Sequence, residues 1–582
     1  MAKPMNKVCA PEEVALKNFF LGPQAENGEW VSDLVSTVLR EWFRWRKTVF
    51  PTDGTAIPEH DRSSASSRAA RASFEKLLDE LMRRFADEVP KFSPRYVGHM
   101  FSEVSLPALF GHFVTLLHNP NNVSGDSSRV GMVIEDEAVS SLLTMIGMDP
   151  KSGFGHFTSG GTVANFEALV RARNRQWKWL LAGAQGRMQR KFKGDIVEAA
   201  HMGWQKFDNL KMTDSGDSLE TLGLIEASRY LSEAFAESYR EPVLIVPNHR
   251  HYSWPKGMKV LGFGTKSIWP VKLDGAGRLK IDDLNDTIER AISESRPILG
   301  VISVAGTTEL GQIDPVHQVV ESLRRWANRG VHIWHHSDAA YGGFFASLLT
   351  PERRVLDFPV LNELRGLRDC DSVTLDPHKL GYVPYSSGTF LCRDQRDYHL
   401  QSIDAPYLRF ATDQERGPQT LEGSRSAAGA VATWLTARAI GLNAGGYGRI
   451  LLRTIENRIE LESLLRRLPD VRVAPGCETN VLAFTVARQS EALSESNARV
   501  DRIRRNFSTS GEGKFFVSGT RLGIEAYGTF VNDFLHTWNA KVDSDGVDLV
   551  RMVLMNPFFS TKEASISFID EFVRELEKAL KE

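Results

Sequence analysis

The hydrophobic positions of the N-terminal part recur with helical spacing. In segment 30–47 the apolar residues follow a helical period. Segment 72–86 places Phe74, Leu77, Leu78, Leu81 and Phe85 at i, i+3, i+4, i+7 and i+11, which predicts one buried helix face. The polar, turn-rich stretch 51–67 predicts a linker between them. We therefore expect a helical N-terminal segment, residues 1–129, whose apolar positions serve as core or as a subunit contact.

The pattern changes between residues 130 and 440, where short β-branched runs alternate with helical stretches such as 314–329. The runs lie at 243–246, 298–304, 331–334 and 373–375. Short apolar strands separated by helices predict βαβ units and a mainly parallel sheet. The long, charged segment 171–240 is predicted to be a helical insertion or a long crossover.

The chain changes again after the glycine-rich stretch 441–448. An amphipathic, Arg-rich helix is predicted over 449–467, strands over 481–486 and 549–554, and a final helix near the C-terminus. These elements predict a smaller α+β domain over residues 441–582. Residues 130–440 are predicted to form one large domain.

Composition and charge exclude several classes of protein. Of 582 residues, 42% are hydrophobic and 25% are charged, as in an ordinary globular chain. Lys plus Arg number 71 and Asp plus Glu number 73, so the net charge of −2 creates no general field for nucleic acid or anionic membranes. We therefore expect neither nucleic acid nor a membrane as a partner.

The cysteines and the N-terminus bear on the cellular compartment. Four cysteines without a C-x-x-C pair are too few for a disulfide scaffold and predict free thiols. The first 20 residues contain no apolar signal-peptide core, and no run of 18 apolar residues predicts a membrane span. A cytoplasmic protein is expected.

The most informative segment is DSVTLDPHKLGYVPYSSG at 371–388. A β-rich run ends in Asp-Pro-His-Lys, so Lys379 follows a strand end in a turn fixed by Pro377. The carboxyl ends of parallel strands form ligand crevices, and a buried lysine is suited to form a Schiff base. Taken alone, a lysine after a turn is more often a surface residue.

A glycine-rich turn opens a helical run in FTSGGTVANFEAL at 157–169. Glycines allow close approach of a ligand, and a helix N-terminus presents free N–H groups to an anion. Gly161 and Thr162 are therefore candidates for a phosphate cradle, although the motif matches neither G-x-G-x-x-G nor a P-loop. Plain N-capping by Thr158, Ser159 or Thr162 is the alternative.

Two further segments add an acid and histidines. Asp338 in HIWHHSDAAYGG at 332–343 lies just beyond the predicted strand 331–334 and could pair with a cationic ring nitrogen. The three histidines of that stretch lack carboxylates at ligand spacing, so no metal is predicted. His251, in NHRHYSWPKG at 248–257, could stack on a planar cofactor or form an ordinary loop hydrogen bond. A cradle, a stacking ring, an acid and a Schiff-base lysine are the groups that pyridoxal phosphate needs.

This set closely resembles the group II pyridoxal-phosphate decarboxylases. The shared stretches are TSGGT, HYSWPKG, AGTTELGQID, SDAAYGG and DPHK, in that order over about residues 95–440. The resemblance implies an α/β fold of fold type I: a mainly parallel seven-stranded sheet domain, a helical N-terminal segment that wraps a partner and a small α+β C-terminal domain. It also implies a homodimer with active sites at the subunit interface.

The resemblance carries roles onto individual residues. Lys379 corresponds to the lysine that binds the cofactor, His378 precedes it, Asp338 corresponds to the partner of the ring nitrogen, and His251 to the stacking ring. The remaining cofactor contacts implied are Gly161, Thr162, Thr308 and Ala340. Tyr407, 28 residues after Lys379, corresponds to a tyrosine on a mobile loop that protonates Cα.

The lysine neighbourhood most resembles bacterial tyrosine decarboxylases, in contrast to animal-type relatives, which usually have Asn at the position of Asp376. The resemblance places His99, Asn121 and Tyr385 near the substrate, and Arg551 at the position that receives the substrate carboxylate in glutamate-type relatives. We expect an aromatic L-amino acid, tyrosine first, to be converted to the amine and CO2. An acidic amino acid, another fold-type I reaction and an inactive cofactor-binding protein remain the alternatives.

Overall fold

Eleven strands form two β-sheets in this computed structural model, which describes residues 16–211, 219–349, 358–402, 415–508, 511, 513–560 and 567–581. The larger sheet contains β1 (Phe154–Thr158), β2 (Val243–Pro247), β3 (Ile268–Val271), β4 (Ile298–Val304), β5 (His335–Asp338), β6 (Ser372–Leu375) and β7 (Gly388–Cys392). The smaller sheet contains β8 (Val471–Val473), β9 (Val481–Val486), β10 (Ser518–Gly523) and β11 (Gly546–Val553).

The larger sheet is mainly parallel, as predicted. Its order is β1-β7-β6-β5-β4-β2-β3, and only β7 runs antiparallel to its neighbours. All seven residues of β4 are buried, as expected for a parallel sheet covered on both faces. The prediction of a strand at 331–334 is wrong, because the strand begins at His335 and Asp338 is its last residue. The parallel ladder to β4 extends through these polar residues.

The α-helices follow in chain order, and those between β1 and β7 connect the strands of the larger sheet. The helices are α1 (Gly28–Val49), α2 (Glu59–Arg62), α3 (Ala65–Phe85), α4 (Leu106–His118), α5 (Arg129–Ile146), α6 (Gly161–Met188), α7 (Ile196–Ala200), α8 (Gly203–Asn209), α9 (Leu219–Phe235), α10 (Ser253–Val260), α11 (Ile281–Ser293), α12 (Val316–Asn328), α13 (Gln395–Tyr398), α14 (Ala428–Ala439), α15 (Tyr447–Leu465), α16 (Leu493–Asn506), α17 (Ile524–Tyr527), α18 (Thr529–His536) and α19 (Phe568–Ala579). Shorter 3-10 turns lie at Thr265–Ser267, Gly342–Leu348, Pro359–Asp369, His399–Gln401 and Gly417–Gln419. Helices α6 to α9 confirm a helical crossover over the predicted 171–240 segment. None of the described helices has the length and apolarity needed to span a membrane.

The N-terminal helices differ from the prediction in burial. Helix α3 starts at Ala65, inside the expected linker, and neither α1 nor α3 contains a buried residue. The predicted buried face of α3 is exposed in the single chain: Phe74 is 64% exposed and Leu77 is 62% exposed. Helical periodicity shows that a face is apolar, but it does not show whether the same chain covers it.

The smaller sheet and its helices form a second hydrophobic core. This antiparallel sheet has the order β10-β11-β9-β8, and residues of α16, α18 and α19 pack in the same cluster of buried side chains. The two sheets span residues 154–392 and 471–553. The domain boundaries at 129/130 and 440/441 stay predictions.

A buried ion pair holds β1 in place. Glu135 of α5 accepts hydrogen bonds from the Phe157 N–H at 2.8 Å, from Asn122 Nδ2 at 2.8 Å and from Arg425 Nη1 at 2.5 Å. Arg425 also donates to the Phe157 carbonyl at 2.9 Å. Burial would raise the pKa of Glu135, but Arg425 and Arg416 hold it at about 2. The pair thereby fixes the strand that leads into the glycine-rich turn.

Replacing Glu135 with Gln is expected to destabilise the fold by about 3 kcal/mol at neutral pH, because a buried guanidinium loses its partner. Since the pKa of Glu135 is lowered on folding, its contribution is present above the ordinary value of 4.5 and is lost as pH falls toward 2. Urea unfolding measured from pH 7 to pH 3 should therefore show that the difference in unfolding free energy between wild type and Glu135→Gln becomes smaller as the pH falls. Glu137→Gln, two residues along the same helix in a half-exposed ion pair, is the matched control. An equal effect of both variants would contradict this role.

Candidate active site

A cavity of about 380 Å³ opens at the carboxyl ends of the parallel strands, where such sheets bind their ligands. Residues following β4, β5 and β6 line it together with the start of helix α6. Nine residues predicted from sequence line this cavity: Gly161, Thr162, His251, Thr308, Asp338, Ala340, His378, Lys379 and Tyr385. The fold therefore brings five separated motifs to one place.

The glycine-rich turn connects β1 to α6. Gly160 is the N-cap of this 28-residue helix, and among the described residues no side chain caps it, in contrast to the N-capping alternative. A Cβ built on Gly161 would lie 2.7 Å from Asp376 Oδ2, so a larger residue there would require the Asp376 side chain to move. The turn also bonds to an acid, because the Ser159 N–H donates to Glu422 Oε2 at 3.1 Å. An uncapped helix start beside small residues suits an anion such as phosphate.

Asp338 presents a buried carboxylate at the end of β5. Its Oδ2 accepts hydrogen bonds from Asn165 Nδ2 at 2.8 Å and from Trp254 Nε1 at 3.2 Å, and its Oδ1 faces the Ala340 N–H at 3.4 Å. Only 5% of the residue is exposed. N–H donors of this kind orient the carboxylate toward the cavity, where a cationic ring nitrogen can bind it.

His251 is held as a neutral ring by its neighbours. The Ser253 N–H lies 3.3 Å from His251 Nδ1 and Ser253 Oγ lies 2.9 Å from it, so this nitrogen accepts and the ring proton lies on Nε2. Burial lowers the pKa of His251, although Asp338 opposes that shift. Ser253 Oγ in turn accepts from Asn165 Nδ2 at 2.9 Å. The same asparagine thus orients both Asp338 and the histidine.

Lys379 lies close to a second buried acid. Its Nζ is 3.1 Å from Asp376 Oδ2, and its side chain is 22% exposed. His378 Nδ1 donates to the Ser387 carbonyl at 2.5 Å, which fixes the orientation of its ring. The ring of Tyr385 packs on that of His378 with centroids 4.1 Å apart. The amine is therefore held at the cavity wall on a short loop after β6.

The residues predicted to contact substrate are placed differently from one another. Tyr385 lines the cavity, whereas Arg551 and His99 do not. Arg551 donates to the carbonyl of the lining residue Thr308 at 2.6 Å and contacts His99 Nδ1 at 3.1 Å. Asn121 is not among the lining residues and instead accepts from the Arg425 N–H at 3.0 Å. Tyr407 lies outside the described residues. The assignments of these five residues stay predictions.

The sequence analysis does not predict Asn165 and Trp254, the two residues whose side chains donate to Asp338. Asn165 lies one helical turn after Gly161, and this spacing could have marked it as facing the cavity. Trp254 lies three residues after His251, but nothing in the sequence shows that its Nε1 reaches Asp338.

The histidines of the 332–343 segment have other partners. His335 Nε2 lies 3.0 Å from Ser303 Oγ, and His336 Nδ1 lies 2.8 Å from Ser372 Oγ. No cluster of three or more histidine, cysteine or acidic side chains suited to a metal ion occurs in the described ranges.

Comparison with known proteins decides the family. A family model described as the pyridoxal-dependent decarboxylase conserved domain matches residues 229–486. An L-tyrosine decarboxylase of Levilactobacillus brevis is 30% identical over 78% of this chain and 76% of its own length. The chain belongs to the pyridoxal-dependent decarboxylase family. An L-tyrosine decarboxylase of Enterococcus faecium is 28% identical to this decarboxylase over 98% of this chain and 99% of its own length.

The fold agrees with that of solved relatives. The apo form of mouse CSAD superimposes on the decarboxylase with a TM-score of 0.64 and 18% identity, covering 94% of this chain and 99% of the mouse chain. The chain is therefore a pyridoxal-phosphate-dependent amino acid decarboxylase with a mainly parallel seven-stranded sheet. The cavity residues fit this cofactor, because a buried carboxylate, a lysine amine and a cradle that a Cβ would fill surround one space.

Asn165→Ala is expected to lower kcat of the decarboxylase roughly tenfold to a hundredfold, the effect of losing one hydrogen bond to a charged group. Cofactor content should change little, because Lys379 and the cradle remain. Asn174→Ala is the matched control, since Asn174 lies on the same helix and bonds instead to the Leu400 carbonyl. Steady-state kinetics together with cofactor absorbance separate these effects. A normal kcat in Asn165→Ala would contradict the orienting role.

Proposed function

We propose that this decarboxylase converts an aromatic L-amino acid, tyrosine first, to its amine and CO2. The observation that carries this proposal is a continuous row of aromatic rings beside the cavity. Tyr385 packs on His378 and also meets Phe101 edge to face, with centroids 6.3 Å apart. Phe101 stacks on Tyr96 at 5.5 Å and on His99 at 6.0 Å. A row of this kind favours a planar aromatic side chain over an aliphatic or acidic one.

The environment of Arg551 supports the same preference. An acidic side chain would need a cation with free donors, but each of the three guanidinium nitrogens of Arg551 already has a partner. The partners are Ser518 Oγ at 3.0 Å, the Thr308 carbonyl at 2.6 Å and His99 Nδ1 at 3.1 Å. Binding a second carboxylate there would require breaking these bonds. The two relatives described above that carry the name L-tyrosine decarboxylase also favour this substrate.

Each proposed site residue has a task that its geometry suits. Bound pyridoxal phosphate supplies a ring that accepts the electron pair left when the α-carboxylate departs. Lys379 binds the cofactor covalently, and Asp338 holds a proton at the ring nitrogen through a charge-assisted bond. His251 covers the ring face.

The remaining cofactor contacts position the ring and phosphate. Gly161 and Thr162 offer backbone N–H groups to the phosphate, and His378 contacts the same region. Ala340, whose N–H faces Asp338, leaves room for the ring. Thr308 lines the cavity and is proposed to contact the cofactor there. Tyr407, from the resemblance, would donate the proton to Cα.

We also propose that two copies of the chain associate through the N-terminal helices. Helices α1 and α3 contain no buried residue, yet they expose a set of large apolar side chains: Trp30, Phe43, Trp45, Phe74, Leu77, Leu78, Leu81, Met82 and Phe85. A monomer rarely leaves so much contiguous apolar surface in water. A second copy covering these faces would form the homodimer that the family resemblance implies.

The holoenzyme is expected to release amine from tyrosine with a kcat/KM well above that for aspartate or glutamate. Phe101→Ala should lower kcat/KM for tyrosine about tenfold, because an aromatic contact and its buried area are lost. Phe207→Ala, whose ring packs on Trp204 and not on this aromatic row, is the control, and Lys379→Ala should abolish turnover. Amine release measured over all common L-amino acids checks this. A preference for aspartate or glutamate would refute the aromatic assignment.

The dimer is tested by mass in solution. The wild type should have twice the 65.1 kDa of one chain, and Leu77→Asp with Leu81→Asp should shift it toward 65.1 kDa, because the charges cannot be buried at an interface. Lys76→Glu changes charge on the same helix beside the apolar positions and should leave the mass unchanged. Light scattering coupled to gel filtration gives the mass. A wild-type monomer would end this proposal.

A further inference from the structure

Glu103 is a buried acid that contacts the N-terminal strap, which we define as residues 16–27. Only 6% of the residue is exposed. Its Oε1 accepts a hydrogen bond from the Gly22 N–H at 3.1 Å, and its Oε2 has no hydrogen-bond partner among the described residues. A buried carboxylate with one N–H donor is costly unless a cation or further donors balance its charge, and a proton on Oε2 removes that cost.

The two charged residues of the strap do not neutralise Glu103. Glu26 is exposed and acts on Glu103 as a like charge. Lys17 lies in a separate cleft together with Arg449 and Arg453. Burial raises the pKa of Glu103 to about 7, and Glu26 adds to this shift. The side chain therefore changes its charge close to neutral pH.

Two other titratable groups flank Glu103, and neither takes over this proton exchange. Tyr382 packs on the strap, and burial raises the pKa of its phenol far above neutral pH, so the ring stays uncharged. His99 precedes Glu103 on the same segment, but its Nδ1 faces Arg551. Burial and Arg551 both lower the pKa of His99, so this ring stays neutral as well.

The strap also packs against the rest of the chain. The Leu106 N–H donates to the Phe19 carbonyl at 2.7 Å. Phe20 is buried and meets the Tyr382 ring edge to face, with centroids 5.5 Å apart. Ionisation of Glu103 at the edge of this contact would draw water toward the carboxylate, because an unbalanced charge is more stable in water than in the protein interior.

The segment that contains Glu103 also forms part of the cavity wall. Met100 lines the cavity, and Phe101 belongs to the aromatic row beside it. The Tyr382 N–H donates to the Lys379 carbonyl at 3.1 Å, so the strap also packs on the loop that carries the cofactor lysine. A change in the strap therefore acts on two sides of the site.

We propose that Glu103 carries a proton while the strap is closed, and that loss of this proton to solvent releases the strap and loosens the cavity wall at Met100 and Phe101. Glu103 is a positioning residue in this scheme, because it touches neither substrate nor cofactor. The inference does not depend on which amino acid is the substrate.

The direction of the pH dependence follows from the two states of the strap. In the open strap Glu103 is solvated and has its ordinary pKa of 4.5, whereas burial raises the pKa to about 7 in the closed strap. The proton therefore stabilises the closed strap fully below pH 4.5, and this contribution is lost as the pH rises through 7. Between pH 6 and pH 8 the equilibrium constant for opening should increase about tenfold.

Hydrogen exchange of the holoenzyme, followed by mass spectrometry and corrected for the intrinsic effect of pH, tests the proposal. In wild type the protection of residues 16–27 should fall about tenfold from pH 6 to pH 8, whereas that of β4, residues 298–304, should stay constant. Glu103→Gln has a neutral side chain of the same size, so its strap should keep the same protection within threefold at both pH values. Glu26→Gln, an exposed change of the same type on the strap, is the control and should retain most of the fall.

The wild-type measurement does not depend on a variant folding, and equal strap protection at pH 6 and pH 8 overturns the inference. A tenfold fall that persists in Glu103→Gln also overturns it, because another group would then be responsible. Steady-state kinetics test the connection to the cavity. The ratio of KM in wild type to KM in Glu103→Gln, for the best amino acid substrate, should rise at least threefold from pH 6 to pH 8, with a smaller change in kcat. A constant KM ratio overturns that connection.

Discussion

The hydrogen bond from Asn165 Nδ2 to Asp338 Oδ2 is the interaction on which the geometry of the site depends. It joins helix α6, which starts at the glycine-rich turn, to the last residue of the central strand β5. The second N–H of the same amide is donated to Ser253, which orients His251, and the amide oxygen accepts from Thr374 on β6. One side chain therefore sets the relative positions of the cradle, the acid and the stacking ring. Because all its polar atoms are paired and buried, it cannot rotate without leaving several groups unsatisfied.

Buried ion pairs likewise fix the relative positions of the strands and helices around the site. Glu135 and Arg425 fix β1, and Glu167 lies between Arg171 and His156 with both partners buried. Such pairs add little stability relative to apolar replacements, but removal of one partner is costly, so they favour a single arrangement of the elements they join. The net charge of −2 gives no sign of these ion pairs, because opposite charges that are buried together cancel in the sum.

The sequence predicts a feature well where a short motif determines the local backbone. It predicts poorly where the feature depends on residues that are distant in the chain. Lys379 and Asp338 could be placed because parallel strands end at a common edge. The strand at 331–334 was misplaced because β-branched residues favoured it, whereas the observed strand is set by its ladder to β4 and tolerates polar side chains. Periodicity predicts a buried face for α3, and this prediction is wrong for the single chain because the pattern shows which face is apolar but not what covers it. The link from Asn165 to Asp338 spans 173 positions, and no local pattern reports such a contact.

The two acids of the cavity differ in their donors, and this difference separates their tasks. Asp338 accepts two hydrogen bonds shorter than 3.3 Å from uncharged N–H groups that belong to the protein, so its negative charge is balanced whether or not a ligand is bound. Among the described residues Asp376 has no such donor, and its Oδ2 pairs with Lys379. A carboxylate with permanent donors is suited to hold a proton on a ligand nitrogen throughout turnover. A carboxylate that pairs with Lys379 is suited instead to hold that amine at the cavity wall. Two aspartates at the ends of adjacent strands thus differ in their chemistry only because the groups around them differ.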